Sequence, residues 1–328
     1  MLKVAIYGYG NLGRGIECAV SRASDMTLYG VFTRRDPASL RLRTEGIPVY
    51  AANDILSHKG KLDILVICGG SATDLPEMTP ALAEHFNVLD SFDTHASIPS
   101  HFERTDAAAR KGGYTAMISA GWDPGMFSLA RLYASAILPD GKTETFWGRG
   151  VSQGHSDAIR RIDGVLDARQ YTVPKQAALD AVLAGEMPTL TTRDKHTREC
   201  YVVAKEGADL SRIEREIVTM PNYFADYDTT VTFITEEEMK RNHMGMPHGG
   251  TVIRGGETGM ADQPHRHTIS YSLTLESNPE FTASALLAFA RAICRMNARG
   301  EVGCKTVFDI PPALLSPLSA EDLRKSLL

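Results

Sequence analysis

Short unbroken apolar runs alternate with amphipathic stretches through the first 120 residues. Leu2–Tyr7 carries Val4, Ala5 and Ile6 in a row, the pattern of a strand covered on both faces. Residues 14–23 then place Ile16, Ala19 and Val20 at helical spacing. Further strands are predicted at 26–32, 62–68, 87–90 and 114–119, with helices at 79–86 and 103–111, the second stopped by Gly112 and Gly113. Such alternation predicts an α/β fold on a parallel, doubly wound sheet.

Beyond Pro124 the pattern changes. A helix at 126–138 leads into strands at 143–147, 168–172, 199–204, 229–234, 250–254 and 267–275, with helices at 176–184 and 209–219 between them. Many strands with few helices predict an α+β domain on a mixed or antiparallel sheet. Residues 281–299 read as a long amphipathic helix, with Leu286, Phe289, Ala290 and Ile293 on one face and Gly300 as its stop. Glu236, Glu237 and Glu238 read as an exposed helix start favoured by the macrodipole.

Composition narrows the class. A length of 328 residues suits two domains, and 28 Gly with 16 Pro is too few for a low-complexity chain. Lys and Arg total 35 against 40 Asp and Glu, a net charge of −5. Such a balance argues against a nucleic-acid binder, which needs a positive field, but permits a local basic pocket for a small anion. The longest apolar run, residues 64–68, falls far short of the ~20 needed to span a bilayer, so no membrane partner is expected. The start runs straight into glycines where a secretory leader would stay apolar. Five cysteines without a C-x-x-C pair suggest reduced thiols in the cytoplasm.

The chemistry begins at Gly8-Tyr9-Gly10-Asn11-Leu12-Gly13, a G-x-G-x-x-G between strand and helix. In that context Gly8 allows the tight turn, Gly10 a close approach to a pyrophosphate, and Gly13 the packing of helix on strand. A purely structural glycine turn is the alternative. The next strand ends in Thr33-Arg34-Arg35, where an NAD site carries an acid. Guanidinium groups there favour the 2′-phosphate of NADP, although Asp36 follows and two solvated arginines would look the same. Gly69-Gly70-Ser71 ends a third strand and suits a crevice wall. Asp93 and Asp123 lie just past two more strand ends, the edge where ligands bind in such sheets. Each could equally be a turn or cap acid; together they could hold an ammonium group. The spacing of His243, His248, His265 and His267 fits no metal motif, so no metal is expected. Cys68 and Cys200 have no convincing base beside them in the sequence.

Several longer motifs occur together: the glycine motif, Thr33-Arg34-Arg35, the run from Cys68 to Asp74, Gly121-Trp-Asp-Pro-Gly-Met-Phe-Ser and Phe146-Trp-Gly-x-Gly-x-Ser-Gln-Gly-His-Ser-Asp. They continue through Gln170-Tyr-Thr, His196-Thr-Arg-Glu-Cys, Thr219-Met-Pro-x-Tyr-Phe, Gly245-Met-Pro-His-Gly-Gly and Asn278-Pro-Glu-Phe-Thr-Ala-Ser. Nearly end to end, this chain resembles the meso-diaminopimelate dehydrogenases. The resemblance implies NADP-dependent, reversible oxidative deamination at the D-centre of meso-2,6-diaminopimelate, within lysine biosynthesis, by a homodimer. It implies a discontinuous Rossmann-type NADP domain, 1–120 with 280–328, and a substrate and dimerisation domain, 121–279. Asp93 and Asp123 would take the reacting amine, and Trp147, Gln153 and Gly154 would line the substrate. Thr172, Arg198, His248 and Asn278 would bind the distal L-centre, chiefly its carboxylate.

Together with the strand-end positions, the cofactor-facing residues are expected at Tyr9, Gly10, Asn11 and Leu12, then Thr33, Arg34 and Arg35. Cys68, Gly69, Gly70 and Ser71 follow, then Ser91, Phe92 and Asp93, and last Ala120, Gly121, Trp122, Asp123 and Pro124. Taken from the residues alone, Thr172 could be an ordinary strand residue, Arg198 part of a solvated charge run and Asn278-Pro279 a turn. Residues 260–267 look lengthened against the family. Rival readings are an imine reductase, a semialdehyde dehydrogenase relying on a catalytic Cys, and a non-catalytic NADPH sensor.

Overall fold

Val4, Ala5 and Ile6 are completely buried because the strand that carries them, β1 (Leu2–Tyr7), is packed on both faces. In the computed structural model, which describes residues 1–328, α1 (Asn11–Ser21), β2 (Met26–Thr33), β3 (Val49–Ala51) and β4 (Ile64–Ile67) follow. Then come α2 (Leu75–Ala83), β5 (Val88–Asp90), α3 (Ile98–Gly112) and β6 (Thr115–Met117), after which α4 (Met126–Ile137) leads away. The next stretch holds β7 (Gly141–Trp147), β8 (Gly150–Val151), α5 (Gln153–Arg160), β9 (Val165–Pro174), α6 (Gln176–Leu183) and α7 (Thr192–Lys195). It continues with β10 (His196–Ala204), α8 (Leu210–Val218), β11 (Asp228–Phe233), α9 (Glu236–Asn242), β12 (His248–Met260) and β13 (Gln263–Leu275). The chain ends with α10 (Asn278–Asn297), β14 (Gly303–Lys305) and α11 (Ala320–Leu327).

Two compact units result: Met1–Leu129 with Pro279–Leu328, and Ala130–Asn278. The first division therefore falls after Leu129, not at 120. In the first unit seven parallel strands lie in the order β14-β6-β5-β4-β1-β2-β3, with the order reversing between β1 and β4. Alternate residues face opposite sides. Val4, Ile6, Val66 and Leu89 pack with Ile16 of α1 and Leu286, Phe289 and Ile293 of α10. Ala5, Leu65, Ile67 and Val88 pack with Leu75 and Leu82 of α2 and Ala109 of α3. The sheet is doubly wound, as expected.

The second unit has a mixed sheet, β11-β10-β9-β8, and an antiparallel one, β13-β12-β7. Ile159, Ala168, Val202, Ile213 and Ile217 form the core of the first, under α5 and α8. Phe146, Val182 and Ile253 form that of the second, under α6.

Three helices start earlier than their periodicity predicts. α2 begins at 75 rather than 79, α3 at 98 rather than 103, and α10 at 278 rather than 281. Each has a proline in its first turn (Pro76, Pro99, Pro279), where the missing N–H costs nothing because that donor has no helical partner. Asn278-Pro279 is thus a helix start and not a free turn. Residues 260–267 are the end of a long hairpin: β12 and β13 pair from His248↔Leu275 out to Met260↔Gln263. The predicted strands 250–254 and 267–275 caught parts of it, since the outer part of β13, residues 263–268, is polar and solvent-exposed.

Candidate active site

The glycine turn after β1 is built by close approach. Gly8 has φ +98°, and a Cβ there would lie 2.9 Å from the Cys68 carbonyl oxygen. A Cβ on Gly13 would lie 2.3 Å from the Gly8 carbonyl oxygen, so α1 can pack on β1 only without one. Gly10 is different: nothing lies within 4 Å of its Cβ position. As the N-cap of α1 it makes no side-chain hydrogen bond, which leaves the first N–H groups of the helix able to bind an anion. Close packing behind and open backbone in front suit a pyrophosphate.

Tyr9 is tied down at both ends. Its hydroxyl donates to Glu17, a fully buried acid on α1 whose other oxygen accepts from the Thr44 N–H at 2.5 Å. Its carbonyl accepts from Arg35 Nη2 at 2.5 Å. Burial, then the Glu17 carboxylate, pushes the Tyr9 phenol up to about 12, so it remains a donor. Thr33 Oγ1 accepts from the Arg35 N–H at 3.1 Å. Arg34 pairs with Asp74 at 3.0 Å, and Asp74 Oδ2 accepts from the Gly70 N–H at 2.9 Å. That backbone bond, with Arg34 adding to it, holds the Asp74 carboxyl below its usual range. Asp74 thereby joins the arginine loop after β2 to the glycine loop after β4. Neither Glu17 nor Asp74 was singled out as a site residue from the sequence.

The two expected acids lie past β5 and β6. Asp93 is exposed, and its N–H donates to Ser71 Oγ at 2.9 Å, linking this loop to the glycine loop. It caps no helix: Ser97 precedes α3. Asp123 sits in a tight loop where Trp122 pairs with Gly125, and the Met126 and Phe127 N–H groups donate to the carbonyls of Gly121 and Trp122 at 3.2 and 2.8 Å. A Cβ on Gly125 would lie 2.0 Å from the Gly121 oxygen, and Trp122 packs edge-on against Phe127. Phe92, Ala120, Gly121 and Trp122 are buried, Ser91 and Pro124 half-buried.

The second unit gathers the remaining candidates. Arg198 on β10, Thr172 on β9 and Gly150 on β8 are successive register partners. Arg198 is 7 % exposed; its Nη1 donates to Thr172 Oγ1 and its guanidinium lies 3.8 Å from the centre of the Tyr227 ring. Burial pulls the guanidinium below its usual value, with the Tyr227 hydroxyl opposing, and Nε has no hydrogen-bond partner. A buried cation held by a hydroxyl and a ring face, with no carboxylate paired to it, is able to take an external anion. It does not belong to a solvated charge run.

His248 packs over Gly150, where a Cβ would lie 2.5 Å from the imidazole Cγ. Its Nδ1 lies 2.8 Å from the Gly249 nitrogen and 3.1 Å from the Gly249 carbonyl oxygen. Gln153 and Gly154 open α5, exposed, after the cap Ser152. Gln153 Nε2 reaches Met246 Sδ at 3.4 Å, and the Asn278 N–H donates to the Met246 carbonyl at 2.9 Å, so Gln153 and Asn278 approach one residue. Trp147 stacks on His196, whose Nε2 accepts from the Trp147 N–H at 2.9 Å. Burial, then the Arg198 charge, pushes His155 and His196 down to about 4, which leaves both neutral beside Arg198. His155 and His196 lie in the sequence motifs quoted above but are not among the predicted site residues, because nothing in a sequence marks a polar ring as buried.

No group of three or more His, Cys, Asp or Glu side chains is placed to hold a metal. No helix is long and apolar enough to cross a membrane.

The family of the Diaminopimelic acid dehydrogenase C-terminal domain matches residues 121–277. The meso-diaminopimelate D-dehydrogenase of Acetivibrio thermocellus is 57% identical over 327 residues, covering 100% of this chain and 98% of that protein. The chain belongs to the meso-diaminopimelate D-dehydrogenase family. A solved sextuple variant of the Clostridium tetani E88 enzyme with DAP superposes at TM-score 0.94, with 49% identity and 100% of both chains covered. An engineered D-amino acid dehydrogenase bound to NADP+ superposes at 0.87, with 44% identity and 100% and 99% covered. As a member of the meso-diaminopimelate D-dehydrogenase family, the protein is an oxidoreductase. Burial pushes the Cys68 and Cys200 thiols up to about 12, which disfavours the thiolate nucleophile that the semialdehyde-dehydrogenase reading needs.

Proposed function

We propose that the protein catalyses the NADP-dependent, reversible oxidative deamination of the D-centre of meso-2,6-diaminopimelate, giving L-2-amino-6-oxopimelate (in equilibrium with tetrahydrodipicolinate) and ammonia, in lysine biosynthesis. Buried, carboxylate-free Arg198 is the observation that carries the substrate assignment. Beside it, the His248 imidazole, the Thr172 hydroxyl and the Asn278 amide add direction. The solved Clostridium tetani variant supports this set. Its substituted residues are, in chain order, Gln, Thr, Arg, Pro, His and Asn. Gln153, Thr172, Arg198, Pro247, His248 and Asn278 are the same types in the same order, with identical spacing over the first five. Between the His and the Asn this chain is three residues longer, the stretch that includes the long hairpin.

NADP+ supplies the hydride acceptor. The open backbone at Gly10 and the uncapped start of α1 fit its pyrophosphate, and Arg34 and Arg35 its 2′-phosphate. The residues after β4, β5 and β6 (Cys68 to Ser71, Ser91 to Asp93, Ala120 to Pro124) take the nicotinamide side. Asp93 and Asp123 hold the substrate ammonium by charge-assisted hydrogen bonds, and one of them accepts the proton that must leave before the Cα–H can depart as hydride. Trp147, Gln153 and Gly154 line the substrate, and the distal set fixes which end is presented. Only a D-centre opposite an L-centre then aims its hydrogen correctly, which is the orientation effect on which the rate depends.

The first unit serves as the NADP domain and the second as the substrate and dimerisation domain. Leu132, Tyr133 and Ile137 stay exposed on α4, which favours a second copy covering them in a homodimer. Five free thiols fit a reducing, cytoplasmic setting. The test is spectrophotometric: NADPH should form with the meso isomer and not with the L,L isomer, and NAD+ should be a poor substitute. No NADPH from the meso isomer at any alkaline pH ends the assignment.

A further inference from the structure

The acids Asp93 and Asp123 stand on separate loops after separate strands, yet both must meet one ammonium group. A single buried side chain between them holds both loops. Asp90, the last residue of β5, has no solvent exposure. Its Oδ1 accepts from the Phe92 N–H and the Ser119 N–H, each at 3.0 Å, one from the loop of Asp93 and one from that of Asp123. Its Oδ2 accepts from Thr79 Oγ1 at 2.7 Å on α2 and is paired with His101 Nε2 at 2.8 Å on α3. Its main-chain carbonyl accepts from the Ala120 N–H at 3.0 Å. The His101 ring in turn stacks on Phe92, with centroids 4.2 Å apart. Ser119 adopts φ +56°, unusual for a residue with a Cβ, at the point where the second loop leaves the sheet.

A carboxylate used only for stability would be a poor choice here, since full burial of a charge is costly and an apolar pair would fill the space as well. What an apolar pair could not do is accept two main-chain N–H groups from different loops on one oxygen. We propose that Asp90, oriented by His101 and Thr79, is a positioning residue that sets the separation of the Asp93 and Asp123 loops. The proposal rests on the assignment of those two acids to the substrate amine.

Asp90→Ala orphans both N–H groups. Asp90→Asn keeps an oxygen for them and loses only the ideal acceptor toward Thr79 and His101, whose unpartnered Nδ1 can take up the ring proton instead. Active sites are counted with 2′,5′-ADP, which reaches only the glycine-loop half of the cofactor site. Per counted site, kcat on meso-diaminopimelate should fall about 10²-fold in Asp90→Ala and about tenfold in Asp90→Asn, since small misplacements of reacting groups cost that much. KM should change less than about threefold, because the distal end is gripped elsewhere. If Asp90→Ala does not fold, Asp90→Asn decides alone. A kcat within twofold of wild type in either folded variant overturns the proposal. So does failure of both variants to bind 2′,5′-ADP, which would make Asp90 a folding residue only. Asp93→Asn and Asp123→Asn are measured alongside. If they leave kcat intact, the assignment of the two acids fails and takes the proposal with it; if they abolish turnover while Asp90→Asn stays within twofold of wild type, the proposal fails alone.

Discussion

Arg198 is an expensive residue for the fold to carry. Its guanidinium is buried with one nitrogen unpartnered, and the cation–π contact with Tyr227 offsets only part of the desolvation. Arg198→Met should therefore leave thermal stability equal or higher. On the proposed role of Arg198, the same change removes charge-assisted bonds to substrate worth about 1.5–3 kcal/mol, so KM for meso-diaminopimelate should rise roughly 10- to 100-fold with 2′,5′-ADP affinity unchanged. A lower melting temperature with an unaltered KM would mean the residue is structural. The residue type and position were visible in the sequence, but its burial was not. The run from Arg193 to Glu199 looks solvated until its end is seen as the start of β10, where His196, Arg198, Cys200 and Val202 turn inward at every second position. Period two was present; it was hidden because the first two inward residues, His196 and Arg198, are polar.

At the level of elements, the strand–turn–helix opening and the alternation behind it were legible because period and glycine spacing are local signals. The attachments between distant elements were not. Gly15 is an example: a Cβ there would lie 2.7 Å from the Pro279 carbonyl oxygen, so α1 and α10 touch at a glycine with no role in the fingerprint. Another is the fork between Arg291 on α10 and Asp25 before β2, at 2.5 and 2.7 Å, with Arg291 Nη1 also on the Leu315 carbonyl. The Arg291 hydrogen bond holds the Asp25 carboxyl below its ordinary value of 3.8. A depressed folded value stabilises the native state fully above the unfolded value, and the gain is lost as pH falls through the folded one. Asp25→Asn should cost about 2 kcal/mol at pH 7, less than full burial would give because Asp25 is partly exposed. Urea midpoints of wild type and variant should draw together as pH falls below 3.8 and through the depressed Asp25 value. A gap that persists there would locate the effect outside the ion pair.

For the molecule as a whole, burial governs thiol chemistry. Cys68, Cys200 and Cys294 are pushed up to about 12 and Cys304 is raised as well, all chiefly by burial. Cys18, Cys68 and Cys294 are all half-buried, and Cys18 differs in having the Arg43 guanidinium beside it, Nη1 at 3.1 Å. An aromatic disulfide reagent at pH 8 should count one fast thiol in the native enzyme and five after denaturation. Several fast native thiols with loss of activity would contradict this.

The first unit is also interrupted. Its sheet ends on β14, and β6 pairs with that strand only through residues 303–305, while α10 covers one face of the sheet from 278 onward. As the chain emerges from a ribosome, the middle unit can mature while the earlier one still shows an unpaired strand edge and bare apolar residues. Nascent chains in that interval are open to mispairing with one another, so translation pauses or premature stops between residues 278 and 303 would favour aggregation over a merely shortened enzyme.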